Sequence, residues 1–460
     1  MLRTTIVIAS CTVALGAQVT LTHLGTVDVS STSVATNPEY IGVNPSAVAW
    51  DGTDLFVAGF NNAASSGTTA IVKVSNALTA PTYGTPFGVY AATPGSRGYS
   101  GLDITTGQLA AALDTGASIP EGLTTWDLNG TPMWSKDIRG GSGVAFDPGF
   151  FGAVDWGTAW TTFSSGRRSL QDNQTGADIY TPSTGMIINA GTGTLWRDMD
   201  FDPFTGDIWL RRSNELVFAE RVGGNVLTNN TVLVMPTRAD FVNMQNLAVV
   251  RQQHERVIFW NDRAMASNGQ SFDLVVHCTR TSDAADLVID YGTFTAATGS
   301  GAYDFSYDDA SQTLAISDFS NRKVYIFAVT LFHEYGTGCQ GAGGITPALT
   351  ASGFGGSGGA LTYDVTGVAP SSIGTFAFGN YQDNTPLPFP GACPQHVTPL
   401  VFTAGLFFTA AGNPGSGTGT FTLNLGSGFA GIPITAQAVI LESFSLATLR
   451  TSNGVETVLY

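Results

Sequence analysis

The stretch DFDPFTGD, residues 200 to 207, sets three carboxylates, Asp200, Asp202 and Asp207, around a glycine. Closely spaced carboxylates are the raw material of a calcium loop, because a hard dication takes oxygen ligands. The helix-flanked form of that loop asks for a further ligand where Phe204 stands and a Glu where Arg211 stands. The stretch therefore reads as a tight turn built with Asp, Pro and Gly. A second set of carboxylates is spread along the chain. The segments GFNN, LDTG, VDWG, LRRS, WNDR and SDFS each follow an apolar run, and they put Asp114, Asp155, Asp262 and Asp318 at related positions. Gathered at one rim, these carboxylates could hold a cation, with calcium the candidate, or bind sugar hydroxyls beside Trp156. Arg211, Arg212 and Arg263 on neighbouring segments would offset that charge or pair with it. The same Asp positions have a structural use, since an Asp after a strand accepts backbone N–H bonds and closes the next turn. Asp318 is expected in that role.

A polar group before the apolar runs (Arg97, Tyr99, Arg139, Arg197, Asp198, Asn243, Gln245, Tyr303, Asp304) suits a small polar ligand or a solvated rim. Motifs that would name a reaction fail on context. GGSGG around Ser357 lies in a Gly/Ser run without the strand and helix of a nucleophile elbow. His333 and Glu334 have no second His four residues after the first, so they form no zincin helix. No catalytic residue is assigned, and no cofactor beyond calcium is called for.

The elements that must position these residues are strands. SAVAWDGTDLFVAGF, SGLDITTGQLAAALD, SGVAFDPGFFGAVDW, RDMDFDPFTGDIWLR, QNLAVVRQQHERVIFW and AYDFSYDDASQTLAIS each give an apolar run, a polar turn and a second apolar run. Hairpins returning at such spacing, with two further strands per period, predict an all-β, six-bladed β-propeller. Outer strands are expected at YGTPFGVYAA, PMWSKDI, GMIINAGTG, TVLVMPT and DLVIDYGTF, and the sixth at THLGTVDVSS near the start, closing the last blade. From about Phe332 the chain becomes denser in Gly and poorer in Lys and Arg, and short strand-like runs predict a C-terminal β-sandwich.

Charged residues are only 12% of the chain and there are 56 Gly, a composition that favours strands over helices. The formal charge of -16 disfavours nucleic acid and anionic membranes as partners. The opening MLRTTIVIASCTVALGAQ reads as a secretory signal cleaved near Ala17, residues 1–17, with lipidation at Cys11 as the competing reading. No later stretch reaches the length of a transmembrane helix. The propeller is then expected over 18–331 and the sandwich over 332–460. Cys339 and Cys393 share the Gly-rich region, where an oxidising compartment would allow a bridge. Cys278 alternates with Phe272, Leu274 and Val276 and is expected to be a buried, inert thiol.

YGTGCQGAGGITPALTASG, PLPFPGACP, GIPITAQAVILE and TSNGVETVL together resemble a C-terminal domain of large secreted proteins of planctomycete-type bacteria. That resemblance covers roughly the last quarter of the chain. It implies export and a disulfide matching Cys339 and Cys393, and it implies no catalytic residues. The propeller resembles NHL or YVTN-type repeats most clearly at ISDFSNRKVYIF, where Asp318, Asn321 and Arg322 match the NHL pattern. The six-bladed calcium lactonases begin their first blade with a metal-binding Glu; here NPSAVAW stands in that place, so the likeness breaks at the metal. The expectation is an exported, non-enzymatic binding scaffold for an extracellular protein or glycan. A metal-dependent hydrolase or lyase at the channel mouth, and a structural envelope component, are the alternatives.

Overall fold

A computed structural model describes residues 19–30, 44–60, 67–93, 98–116, 121–138, 140–148, 157–162, 168–180, 196–212, 215–221, 227–234, 246–261, 276–299, 301–356, 358–387, 393–426, 431–443 and 445–459. The described chain is all-β, with two short 3-10 turns at Ala342–Gly344 and Leu446–Thr448. It divides into two compact units, one over Leu21–Thr330 and one built on Leu331–Leu459.

In the first unit antiparallel sheets follow one another along the chain. Each repeat starts from an inner strand paired with the next: Asn44–Trp50 with Leu55–Phe60, Gly98–Thr105 with Gln108–Asp114 (these first two joined into one nine-stranded sheet where Phe60 pairs with Gly98), and Gly141–Asp147 with Gly157–Thr162. The series continues with Trp196–Phe201 and Ile208–Arg212, Leu247–Gln252 and Glu255–Asn261, then Ala302–Asp308 and Thr313–Asp318. Asp side chains shape several of the connecting turns. Asp51 Oδ1 accepts from the N–H groups of Thr53 and Asp54 at 2.9 and 2.7 Å, and Asp308 Oδ2 accepts from Ser311 N–H at 2.7 Å.

Neighbouring sheets pack through their inner strands. Asn44–Trp50 packs on Gly98–Thr105, Gly98–Thr105 on Gly141–Asp147, and so on through Trp196–Phe201 and Leu247–Gln252 to Ala302–Asp308, which packs back on Asn44–Trp50. This is a β-propeller arrangement, in which sheets bury both faces against their neighbours. Trp50 shows the packing of the last sheet on the first. It sits in a core with Val57 and Val72 of its own sheet and Ala315 and Ile326 of the last, and its Nε1–H donates to Thr313 Oγ1 at 2.7 Å. Val19–Asp28 pairs with Lys323–Leu331, so a strand from the start of the chain extends the sheet that ends the unit.

Two outer strands differ from expectation, and one hairpin is only partly described. The partner of Gly141–Asp147 is described from Gly157, and the apolar run FFGAVDW lies outside the described residues. Asp178–Tyr180 is the fourth strand of that sheet, whereas GMIINAGTG lies outside the described residues. Ile289–Asp290, the outer strand expected for the fifth repeat, joins the sheet of Val19–Asp28 instead. Its chain first makes a single bridge from Asp286 to Thr279, and two residues of strand then suffice to cross to the neighbouring sheet.

The second unit has a five-stranded sheet ordered His333–Tyr335, Leu449–Val458, Pro433–Leu441, Ile373–Gly379, Phe402–Phe408. A three-stranded sheet holds Ala348–Gly353, Ala360–Val368 and Gly417–Asn424, and Tyr381–Pro386 pairs with Pro394–Thr398. Alternating apolar positions of the two larger sheets share one core, with Leu361, Tyr363 and Val365 against Phe376, Phe378 and Ile440. The rings of Tyr363 and Phe378 meet edge-on at 5.2 Å. Cys339 and Cys393 form a disulfide with their Cα atoms 5.3 Å apart. Cys278 is buried in the first unit, and burial pushes its thiol well above the usual range.

Candidate functional site

The inner strands of the first unit carry polar residues at alternate positions of otherwise apolar runs. Asp198 and Asp200 lie two apart in Trp196–Phe201, Asp304 and Ser306 two apart in Ala302–Asp308, and Asp103 occupies the corresponding place in Gly98–Thr105. Because strand side chains alternate, residues two apart share a face. Each reaches the inner strand of the following sheet. Asp103 accepts from Phe146 N–H at 2.6 Å, Asp198 from Leu247 N–H at 2.8 Å and Asp200 from Val249 N–H at 2.6 Å. Asp304 accepts from Val48 N–H at 2.7 Å, and Ser306 Oγ from Trp50 N–H at 2.9 Å, across the junction of last sheet and first.

Hydroxyl and amide donors fill the remaining junctions. Ser46 donates to Tyr99 O at 2.8 Å, Ser100 to Gly141 O at 2.9 Å, Ser142 to Arg197 O at 3.0 Å and Asn261 Nδ2 to Ala302 O at 2.8 Å. Every sheet is thus joined to the next by a side-chain hydrogen bond to backbone. These bonds satisfy polar groups that inter-sheet packing would otherwise bury unpaired.

The carboxylates also line a small polar cavity. A cavity of about 40 Å³ is lined by Asp103, Asp198, Asp200, Asp304 and Ser306. A wider one of about 500 Å³ shares Asp103 and Tyr307 with it and adds Trp50, Asp51, Thr106 and Asp309. Burial pushes Asp198 and Asp200 well above the usual carboxylate range, and the nearby charges of Asp304 and Asp103 add to the shift. Asp304 is pushed up to about 7, chiefly by burial, although the Val48 and Asn246 donors pull the other way. Among the described residues no group of three or more His, Cys, Asp or Glu is arranged to hold a metal ion.

Asp114 and Asp318 do occupy equivalent places, each ending the second strand of its sheet opposite the first residue of the inner strand, Gly98 and Ala302. Asp318 is buried and occupied as a turn closer. Its Oδ1 accepts from Ser320, Asn321 and Gly301 N–H at 3.0 to 3.1 Å, and its Oδ2 accepts from Asn321 Nδ2 and the Tyr325 hydroxyl. Arg211 is buried in Ile208–Arg212. Asp155, Trp156, Asp262 and Arg263 lie outside the described residues.

DFDPFTGD closes a turn. Asp202 Oδ1 accepts from Phe204 and Thr205 N–H at 2.8 and 2.9 Å, while Oδ2 pairs with Arg251 and Arg256 at 2.8 and 2.9 Å. Burial alone would raise the Asp202 pKa; the Thr205 N–H and the Arg251 charge outweigh it and hold the group below its usual value. Asp207 shares Arg256 at 3.1 Å. Asp200, from the same eight residues, belongs to the inner strand instead.

Of the other polar residues singled out from sequence, Tyr99 is buried with its hydroxyl donating to Gly88 O at 2.6 Å, and Tyr303 stacks on Phe319 at 4.9 Å. Arg97, Arg139, Asn243 and Gln245 are outside the described residues. Sequence reasoning missed Asp103 and the inter-sheet role of Asp200. The available signal was an Asp inside an apolar inner-strand run, at the same register as Ser306.

No family model matches the chain, and no curated protein does. Solved structures of β-propellers resemble it at low similarity. The β-propeller domain of Myceliophteria thermophila Cps50 (Swd1) aligns at 11% identity over 62% of this chain and 82% of its own, with a TM-score of 0.35. The WD40 domain of Neurospora crassa Pan2 gives 10%, 68%, 96% and 0.40, and the C-terminal WD40 domain of Sif2 gives 9%, 67%, 98% and 0.37. Among the described residues no helix is long and apolar enough to cross a membrane.

Proposed function

We propose that the chain is an exported, non-catalytic binding protein, in which a six-bladed propeller presents its surface to an extracellular protein or glycan and a β-sandwich follows it. Six inner strands packed in cyclic order, with Val19–Asp28 added to the last sheet, support the blade count. The shared core of the five- and three-stranded sheets supports the sandwich. The signal-like opening supports export. One observation carries the functional reading: the axial carboxylates that could do chemistry are engaged by backbone N–H groups of the next blade. Carboxylates so engaged hold blades together, and recognition falls to the loops on the propeller faces.

A metal-dependent hydrolase or lyase is the second reading, favoured by the cavity of about 500 Å³ that Asp51, Asp103, Asp308 and Asp309 line beside Tyr307. One preparation separates the two. It is screened for binding to extracellular glycans and proteins, for turnover of lactones, esters and acidic polysaccharides, and for a melting-temperature rise in calcium that excess EGTA reverses. Saturable binding without turnover or a calcium shift supports the scaffold. Turnover lost in a folded Asp309→Asn variant replaces it with the enzyme.

A further inference from the structure

His396, in the strand Pro394–Thr398 of the second unit, is fully buried, and both nitrogens of its ring face backbone oxygens. Nδ1 lies 3.2 Å from Asp383 O, and Nε2 lies 3.1 Å from Thr337 O. A carbonyl oxygen only accepts, so each contact is a hydrogen bond only when the nitrogen carries a proton. Neutral imidazole has one N–H and one lone pair, and either tautomer sets that lone pair against a carbonyl oxygen. The imidazolium donates to both.

The backbone around the ring is shaped to present these two oxygens. Gln382 pairs with Val397 and Thr385 with Gln395, which leaves Asp383 and Asn384 opposite His396. Such a bulge takes Asp383 O out of the ladder and frees it for the ring. On the other side the ring lies against Gly336, whose φ is +66° and where an added Cβ would collide with His396 Cε1. Only a glycine lets the chain pass close enough for Thr337 O to reach Nε2. Tyr335 holds the residue from a third side, its hydroxyl donating to His396 O and its ring edge-on at 5.8 Å.

Few charged or titratable groups surround the ring. Asp383 is the carboxylate in its field, held below the usual range chiefly by the Thr385 hydroxyl. Glu456, on Leu449–Val458, accepts from Gln382 and lies near Tyr335, and His333 stacks on Tyr335 at 6.0 Å. Pro433–Leu441 contributes the neutral Gln437, whose Oε1 accepts from His396 N–H at 2.9 Å. Both carboxylates favour a cation at this position.

We propose that His396 is a proton-dependent latch: with both ring nitrogens protonated it ties the pair Tyr381–Pro386 and Pro394–Thr398 to the chain at Thr337, and loss of one proton loosens that tie. The Cys339–Cys393 disulfide crosses the same seam, so the loosened segments stay attached. An unfolded imidazole gives up its proton near pH 6.5, whereas the folded ring must keep it to hold both bonds. The latch therefore contributes fully in acid, and its contribution is lost as rising pH strips the folded ring.

Nitrogen-15 spectra of the full chain, labelled at its five His residues, test the protonation. At pH 7 one imidazole should show two protonated nitrogens, and its signals should be absent from a His396→Gln variant. A chain with no doubly protonated ring at pH 7 overturns the proposal, as do signals that persist in the variant. Amide exchange of the wild-type chain needs no variant to fold. Corrected for intrinsic rates, exchange at residues 335–339 and 381–387 should be about tenfold faster at pH 8 than at pH 6, with Ala360–Val368 unchanged. Equal protection at the two pH values overturns the latch, and so does a loss spread evenly over the unit. Asp383→Asn keeps the carbonyl and should keep the difference; its disappearance there would assign the effect to the carboxylate instead.

Discussion

The two units place their buried polarity differently. The propeller unit puts carboxylates and serines into the junctions between its sheets, where each bonds to backbone of the next sheet. It even encloses an ion pair between Arg221 and Asp147, both fully buried. The second unit keeps its shared core apolar, relies on a disulfide, and leaves an uncharged edge in solvent. The difference follows from geometry. Sheets stacked around an axis press their inner strands together where backbone groups need partners, whereas two sheets facing each other meet only through alternating side chains. Polar stitching runs through the inner strands of the propeller, whereas in the second unit it gathers at the seam where Gln437 and Thr451 donate to Pro394 O.

Substitutions can break or sharpen this contrast. The largest effect is expected from Arg221→Ala, which removes the buried cation bonded to Asp147 at a cost of about 3–5 kcal/mol. Denaturant unfolding should then show the propeller transition moved and that of the second unit unmoved. Removing the Cys339–Cys393 bridge by a double change to Ala should do the reverse. With a sequence separation of 54, the chain-entropy model gives about 4 kcal/mol, confined to the second transition.

The next effect is a pH dependence of the propeller. Asp198, Asp200 and Asp304 have folded pKa values raised above an unfolded value of about 3.9, so between these limits the native state binds more protons. Their contribution to stability is greatest in acid and is lost as pH rises through the folded values. For Asp304 that window runs from roughly 4 up to about 7. Asp202, whose pKa is lowered, contributes in the opposite sense at lower pH. Melts at pH 5 and pH 8 should favour pH 5 for the propeller transition. Asp304→Asn should reduce that difference while costing roughly 1–3 kcal/mol, because its amide meets the donors of Val48 and Asn246. An unchanged pH difference in the variant would show that Asp304 does not titrate there.

Asp318→Ala removes a turn closer and should cost roughly 2 kcal/mol, read in the same propeller transition. The smallest effect is expected at the surface. Phe204 is exposed with the Arg251 guanidinium 5.0 Å from its ring centre, and Phe204→Ala should cost about 0.5 kcal/mol in that transition.

The strands were legible in sequence where alternation ended in an Asp/Gly turn, as at Trp196–Phe201 and Ile208–Arg212 or at Ala302–Asp308 and Thr313–Asp318. The reading slipped at Ile289–Asp290, which was expected beside its own repeat yet pairs with Val19–Asp28, because local pattern carries no information on pairing. Ala348–Gly353 and the pair Tyr381–Pro386 with Pro394–Thr398 are hard to read as strands from sequence, because their Gly, Asn and Pro content resembles loop. The site was less legible. Asp198 and Asp304 were noticed as members of a rim, and Asp200 as part of a turn, whereas Asp103 went unseen. What unites them is which backbone N–H each receives from the next sheet, and that depends on contacts between repeats, which no single repeat's sequence encodes.

The pairing of Val19–Asp28 with Lys323–Leu331 has a consequence for biosynthesis. A ribosome makes that first strand some three hundred residues before its partner, so during translation it must wait with its edges unsatisfied. Contacts of such separation pay a loop-closure cost before they return any stabilisation, which makes docking of this strand a late and slow event. The interval exposes an apolar strand to wrong partners, and a chaperone or translocation channel that holds it until residue 331 emerges would raise the yield of folded protein.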